Sequence, residues 1–485
     1  MTSPETPSVF RPPVNRSMKV LDRSFFQKVI PLSAASVSNV KLLGQIRKDL
    51  ERSGELLRLA MIKPLMDDDS NPGAKCFLLS LGVQTDDPST WSTTLTRLIE
   101  SEATRLRPYD LNLTYDDWTM HDILEATLPE LPEDEKETPG GFAAVGHVAH
   151  LNLRDTYLPY KHLIGQVLLD KNPMITTVIN KTYDVGTESV FRTFPYEVLA
   201  GPDDLDVTVH ESQCEFRFNF GKVYWNTRLG TEHARLWETF HEAEAVCDVM
   251  AGVGPFAIPS GKKRVFVRAN DLNPFSYASL QDAITRNKVD DFVTASCQDG
   301  RVFIRQATAD LASCPRSVSI VPKLKVSRNA SEAEKTRARE MAHAKTKIYQ
   351  EPRSFDHYVM NLPASAVEFL DAFRGIYHGR EAEFTPHTPD RKLPLIHLYL
   401  FQAKHETEKE EHDEICTRIS YFIGAKVTQT DTALDLDIRY VRNVAPNKKM
   451  YCASFRIPSS VAFDELPLLE SLAKLNLEDM DKSPG

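Results

Sequence analysis

A chain of 485 residues has room for roughly two to four domains, and its 41% hydrophobic and 26% charged content is ordinary for a soluble globular protein. No apolar run approaches the ~18 residues that a membrane helix needs; the seven cysteines are scattered without a CxxC pair, which argues against a disulfide framework or a zinc site and for a reducing compartment. A net charge of −10 excludes a uniformly basic nucleic-acid binder, but not one with local basic surface.

The first 35 residues carry Arg11, Arg16, Lys19, Arg23 and Lys28 with few acids, which reads either as a weak mitochondrial presequence or as the irregular start of a folded domain. Helical spacing follows over residues 42–61, then a DDDSNP loop at 67–72. Together 1–105 reads as a small N-terminal domain. Trp118, Ile123, Leu124 and Leu128 predict an amphipathic helix, and 129–141 is an acidic loop. Strands are predicted over 142–151, 176–180, 189–194 and 206–210, with a helix over 159–170. This gives an α+β middle domain over 106–215.

From residue 216 the pattern alternates. A strand over 216–223 and a helix over 231–242 precede a buried strand at 246–250 and the turn Ala251-Gly252-Val253-Gly254-Pro255. A second strand, Val265-Phe266-Val267, ends near Asp271. Asn273 and Pro274 open a helix as cap and first residue. Strands at 292–295, 357–360 and 395–401, further helices, and a closing hairpin complete an α/β domain over 216–470. A polar insertion interrupts it at about 308–352; from Arg316 to Lys347 it holds nine Lys/Arg against three Glu, a composition compatible with partial disorder. An acidic tail, 471–485, ends the chain.

In such a sheet a ligand sits beyond the carboxyl ends of the strands. Polar residues stand at four predicted ends: Asp248 with Gly252 and Gly254, Asp271, Asp299 with Gly300, and Asn361. An acid after the second strand, beside a glycine loop, can accept from both ribose hydroxyls. Asp299 can bond an adenine amino group, although Asp-Gly also reads as a plain turn. The third position after the two glycines is Ala257 and no lysine follows in a phosphate-loop register, which disfavours a dinucleotide or nucleoside triphosphate. DxxAGxG followed by an acidic strand end resembles the S-adenosylmethionine site of Rossmann-like methyltransferases.

Longer stretches narrow this further: PPVNRSMKVLDRSFF (12–26), GHVAHLNLR (146–154), FRTFPYEVLAG (191–201), KVYWNTRLGTEHARL (222–236), DVMAGVGPFAIPSGKK (248–263), ANDLNP (269–274), HYVMNLPASAVEFL (357–370) and VRNVAPNKKMYCASF (441–455). With these the chain resembles the tRNA (guanine-37 N1)-methyltransferases of eukaryotes and archaea over nearly its full length, departing in the insertion. The resemblance implies a class I methyltransferase domain behind an N-terminal domain that meets the tRNA corner. It implies S-adenosylmethionine as methyl donor and tRNA bearing guanosine 37 as partner. It also implies a monomer found in cytoplasm, nucleus and mitochondrial matrix.

The same resemblance assigns roles. Glu232 matches the base that takes the guanine N1 proton, although by itself it reads as a first-turn glutamate favoured by the helix dipole. Arg192 matches the group that stabilises charge on O6. Tyr224 and Arg228 match positions holding the flipped nucleotide, and Asn361 and Pro363 match those binding the guanine beside the donor. His233, Asp271, Leu272, Asp299 and Gly300 match donor-binding positions; family members carry arginine where His233 stands. Lys448 and Lys449 are candidate phosphate contacts. Two other readings remain: an aminocarboxypropyl transferase using the same donor at the same tRNA position, and a tRNA-binding protein without turnover.

Overall fold

The computed structural model describes residues 8–59, 62–130, 141–182, 191, 193–322, 331–385, 387 and 391–465. These divide into two compact units, 1–182 with 196–204, and 205–485 with 183–195.

The first unit runs β1 (Lys28–Val37), α1 (Leu43–Ser53), β2 (Leu65–Asp67), β3 (Lys75–Leu78), α2 (Thr93–Glu100), β4 (Arg105–Leu113), α3 (Met120–Thr127), β5 (Ala143–Val145), β6 (Val148–Leu151), α4 (Lys161–Lys171), β7 (Thr177–Lys181) and β8 (Tyr196–Ala200). Two four-stranded sheets result, ordered β2-β3-β1-β4 and β5-β6-β7-β8. The parts expected on either side of residue 105 fall together here. β4 begins at Arg105 and pairs antiparallel with β1 along its length, from Ser36–Arg105 to Lys28–Leu113. One apolar cluster then runs from Phe26 and Ile30 through Leu111, Trp118 and Leu163 to Val178 and Leu199. The irregular N-terminal segment belongs to this core: Met18 and Phe26 are buried, and Arg16 donates to the Glu125 and Leu128 carbonyls at 2.8 and 2.7 Å. These bonds also cap the carbonyl end of α3.

The second unit opens with the hairpin β9 (Asp206–Glu211) and β10 (Cys214–Asn219), followed by α5 (Gly230–Thr239). Then come β11 (Ala245–Asp248), α6 (Ala257–Lys262), β12 (Phe266–Asn270), α7 (Pro274–Asn287), β13 (Val293–Ser296) and α8 (Gly300–Ser313). The remainder is β14 (Ser317–Ile320), α9 (Glu332–Ala344), β15 (Lys347–Gln350), β16 (His357–Met360), β17 (Leu395–Ala403), α10 (Glu408–Ile423), β18 (Asp437–Ala445), β19 (Lys448–Arg456) and α11 (Ser459–Ala462). The 7-stranded sheet is ordered β13-β12-β11-β16-β17-β19-β18. Its first five strands are parallel and β19 runs antiparallel to both its neighbours. The chain winds outward from β11 to β13, then returns to the other side of β11 as β16. That reversal opens a crevice at the carboxyl ends of β11 and β16.

Local chemistry explains the helix starts. Asn273 accepts from the Phe275 amide at 3.0 Å with Pro274 in the first turn of α7, and Thr407 with Glu410 forms a capping box on α10. The described parts of the basic insertion form regular structure. Residues 308–313 finish α8, and β14 and β15 pair antiparallel around α9. Their base is pinned by the buried Glu351 carboxylate, which takes Arg316 at 2.9 Å and Arg268 at 3.4 Å. Residues 323–330 and the acidic tail lie outside the described residues.

The closing hairpin corrects one expectation. Lys449 is not free for phosphate: its Nζ donates to both oxygens of Glu411 at 2.8 Å. Burial pushes the Glu411 carboxyl up, but Lys449 and the Tyr451 hydroxyl outweigh it and hold its pKa down to about 2. Because the folded value lies below the unfolded one, this stabilisation is present above the ordinary carboxylate pKa and is lost as pH falls toward 2. Lys449→Met strands the buried carboxylate and should cost about 3–5 kcal/mol at pH 7 in urea unfolding, with the loss shrinking as the pH falls through the carboxylate range.

Candidate active site

The crevice at the strand reversal is a cleft of about 720 Å³ including its mouth, within the range of small-molecule sites. Its walls come from successive strand ends: Val249, Met250 and Gly252 after β11, Asn270 to Asn273 around the end of β12, and Gln298 to Gly300 after β13. Asn361 and Leu362 follow β16, and Phe191, Tyr224, Ser276 and Phe369 complete the lining.

One buried amide fixes the strand ends to one another. The Asn270 side chain donates to the Val249 carbonyl at 3.1 Å and the Gln298 carbonyl at 3.0 Å, and accepts from the Gln298 amide at 2.9 Å. The next residue ties the glycine loop: Asp271 accepts from the Gly252 amide at 2.8 Å and from the Asn273 amide at 2.9 Å. Gly252 has φ +58 and a side chain there would point into open space, so the loop leaves a gap where a ligand can lie against the backbone. Gly254 does different work. At φ +98, a Cβ would come within 2.7 Å of Leu280, and Gly254 is absent from the cleft lining. It lets the loop pack on α7.

Burial biases two carboxyl groups at these strand ends toward their neutral forms. Burial raises the Asp271 carboxyl above the usual range, against its backbone hydrogen bonds. Asp248, at the end of β11, is fully buried with neither carboxylate oxygen hydrogen-bonded. Burial, then the nearby Asp271, pushes its pKa well up. Asp248 is not itself part of the cleft lining. Asn361 Oδ1 is also buried without a partner, and Asn361 does line the cleft, so that acceptor can be satisfied by a ligand N–H. Asp299 caps α8, accepting from the Arg301 and Val302 amides at 2.9 and 3.3 Å.

Comparison with known proteins gives this geometry a family. Residues 120–204 match the TYW2 N-terminal domain model and 207–318 match the TRM5/TYW2 methyltransferase domain model. The break between them falls where the chain passes into the second unit at residue 205, although 183–195, inside the first match, also belong to that unit. The chain is 50% identical over 476 residues to an Aspergillus fumigatus protein named tRNA (guanine(37)-N(1))-methyltransferase, covering 96% of this chain and 98% of that one. The chain belongs to the tRNA (guanine(37)-N(1))-methyltransferase family. A Schizosaccharomyces pombe protein of the same name is 44% identical over 452 residues, covering 92% of this chain and 95% of that one. In fold, the chain resembles wild-type Trm5b from Pyrococcus abyssi (TM-score 0.51, 20% identity, covering 88% of this chain and 99% of that one). It also resembles aTrm5 solved with tRNALeu (TM-score 0.53, 17% identity, 88% and 100% covered).

Of the residues singled out by strand-end position or by the likeness to this family, the cleft collects Tyr224, Gly252, Asp271, Leu272, Asp299, Gly300 and Asn361. Pro363 is buried behind it, its carbonyl accepting from the Phe401 amide at 3.0 Å. Arg228 is exposed on the short turn before α5 and does not line the cleft. Nor does His233: its Nδ1 lies 2.7 Å from Glu211 of β9, and its ring packs edge-on to Phe256. Glu232 is buried on α5, outside the cleft lining, with its carboxylate bound by Arg235 and Tyr399. Arg192 lies outside the described residues.

Several cleft residues escaped the sequence reading: Phe191, Val249, Met250, Asn270, Asn273, Ser276, Gln298 and Phe369. Asn270 and Gln298 each precede a residue that was singled out, so adjacency was the available signal. Phe369 comes from the 3-10 helix Ala366–Phe373 and lies in the 357–370 stretch that carries the family likeness, its only signal.

Asp248 yields a pH test. Its folded pKa is raised, so the neutral acid's stabilisation is complete below the unfolded value and is lost as pH rises through the folded value. Asp248→Asn cannot ionise. In urea unfolding it should match the native protein near pH 4 and exceed it at pH 8 by on the order of 1–3 kcal/mol.

Proposed function

We infer that this protein methylates N1 of guanosine 37 in tRNA, taking the methyl group from S-adenosylmethionine. The observation that carries the reading is a cleft at the strand reversal in which Gly252, Asp271, Asp299 and the unpartnered Asn361 Oδ1 converge, in a chain 50% identical to a protein of that name along nearly its whole length.

These residues fit the donor. The open backbone at Gly252 admits its close approach, Asp271 is placed to accept from ribose hydroxyls, and Asp299 from the adenine amino group. The donor supplies a methyl already activated by a sulfonium. The protein therefore needs to orient the guanine, exclude water and take one proton. Asn361 and the backbone of Leu362-Pro363 orient the base at the end of β16, with Tyr224 on the cleft wall as a stacking surface. N1 gives its proton to Glu232 as its electron pair forms the N–C bond, and the C–S bond breaks with its pair passing to sulfur. Charge that develops on O6 is met by Arg192. His233 and Arg228 contribute from outside the cleft lining, His233 by bracing α5 on Glu211.

The first unit is read as the part that meets the tRNA body, because turning a base out of the anticodon loop needs anchoring contacts far from N1. A monomer distributed among cytoplasm, nucleus and mitochondrial matrix belongs to the same proposal and rests on the family likeness.

Transfer of tritium from methyl-labelled donor to unmodified tRNA tests the function directly. Guanosine 37 tRNA should be labelled and adenosine 37 tRNA should not; no label despite tRNA binding would leave a binding protein without turnover. Glu232→Ala should slow single-turnover transfer by roughly 10²–10⁴-fold with donor affinity near normal by calorimetry. Asp271→Asn should do the reverse, weakening donor binding by about tenfold or more.

A further inference from the structure

Glu232 sits in a closed set of hydrogen bonds. Arg235, one turn along α5, donates from Nε to Oε2 at 2.8 Å and from Nη2 to Oε1 at 2.6 Å. The Tyr399 hydroxyl, from β17, donates to Oε1 at 2.9 Å. Three of the carboxylate's roughly four lone-pair sites are thereby used. The side chains of Glu232 and Arg235 are only 8% and 24% exposed. Two further titratable groups of the sheet face the pair: Cys452 of β19, whose Sγ Arg235 reaches at 3.7 Å and whose thiol is pushed up by burial and then by Glu232, and His397 of β17, held below its usual range by burial, then by His357 and Arg235; His233 is turned to Glu211. Arg235 is pulled further toward its charged form, chiefly by Glu232.

This arrangement answers one need of a buried base and obstructs another. An ionised carboxylate stays buried only while it is paired. A carboxylate forked by a guanidinium is a poor proton acceptor until a lone pair is released. We propose that Arg235 and Tyr399 are positioning residues for methyl transfer, holding the Glu232 carboxylate hydrogen-bonded and apart from the donor cleft until the extruded guanine draws it away. The proposal rests on reading Glu232 as the base. The N1 proton passes to a Glu232 oxygen as N1 bonds the methyl carbon and sulfur keeps the C–S pair. The neutral acid then returns its proton to solvent and pairs again with Arg235. A base kept in this way is available only when the nucleotide is in place.

The test is the pH dependence of single-turnover methyl transfer by the full chain, with saturating donor and guanosine 37 tRNA. Arg235→Gln should move the acidic limb up by about one pH unit or more, because an unpaired buried carboxylate keeps its proton to higher pH. Rates should recover above the limb and donor affinity should be unchanged. Tyr399→Phe should shift the limb in the same direction by less. Arg235→Lys, which keeps the charge without the fork, should fall between Arg235→Gln and the native enzyme. A rate lowered equally at every pH, with the limb unmoved, would make both residues structural and overturn the proposal. If Arg235→Gln does not fold, Tyr399→Phe, which removes a single hydroxyl, decides the matter. Glu232→Ala measured in parallel separates the two readings. Native-like transfer without Glu232 would sink the base assignment and the proposal with it. Lost transfer there, with unmoved limbs in the Arg235 and Tyr399 variants, would sink the proposal alone.

Discussion

The Asn270 side-chain amide holds the catalytic end of the sheet together. It is 1% exposed, and it bonds the Val249 and Gln298 carbonyls and the Gln298 amide. One side chain thus fixes the spacing of three strand ends that carry ligand-facing groups. Asp271, its neighbour, extends the same tie to the Gly252 amide. Parallel strands align their carboxyl ends, but nothing in the ladder sets how the loops beyond them lie. A buried amide that both donates and accepts does so, because leaving any of its partners unpaired out of water would cost about 1–3 kcal/mol each.

Around that tie the protein places carboxyl groups in three environments. Asp271 and Asp248 are buried with little compensating positive charge, so their pKa values rise. Glu232 is buried as well, but it is forked by Arg235. Glu411, remote from the cleft, is held by Lys449 and Tyr451, and its pKa falls. Partners decide these differences, since all four side chains are of one chemical kind.

The strand-end residues legible in the sequence line one cleft, whereas the partners of Glu232 are set by distant contacts. The glycine loop, Asp271, Asp299 and Asn361 are strand-end residues, and in an alternating α/β pattern strand ends fall on one side whatever the details of packing. Gly254 reads like Gly252 in the motif, but it serves packing against Leu280. Lys449 reads like a surface lysine, but β19 carries it onto Glu411 of α10. The insertion reads as polar and loose, yet a buried Glu351 with Arg268 and Arg316 anchors its base. In each case the partner is far away in sequence, and periodicity carries no information about it.

The sequence by itself determined the family, the class of sheet and the residue types presented at the strand ends, because hydrophobic period, glycine turns and capping residues act over a few neighbours. It did not determine the N-terminal boundary, which pairing of β1 with β4 erased. It also did not determine the state of Glu232. Arg235 is three residues away on the same helix and could have been noticed, but Tyr399 comes from a strand 167 residues later. Only tertiary structure brings a helix and a distant strand to the same carboxylate, and those contacts decide whether Glu232 faces the cleft or is held apart from it.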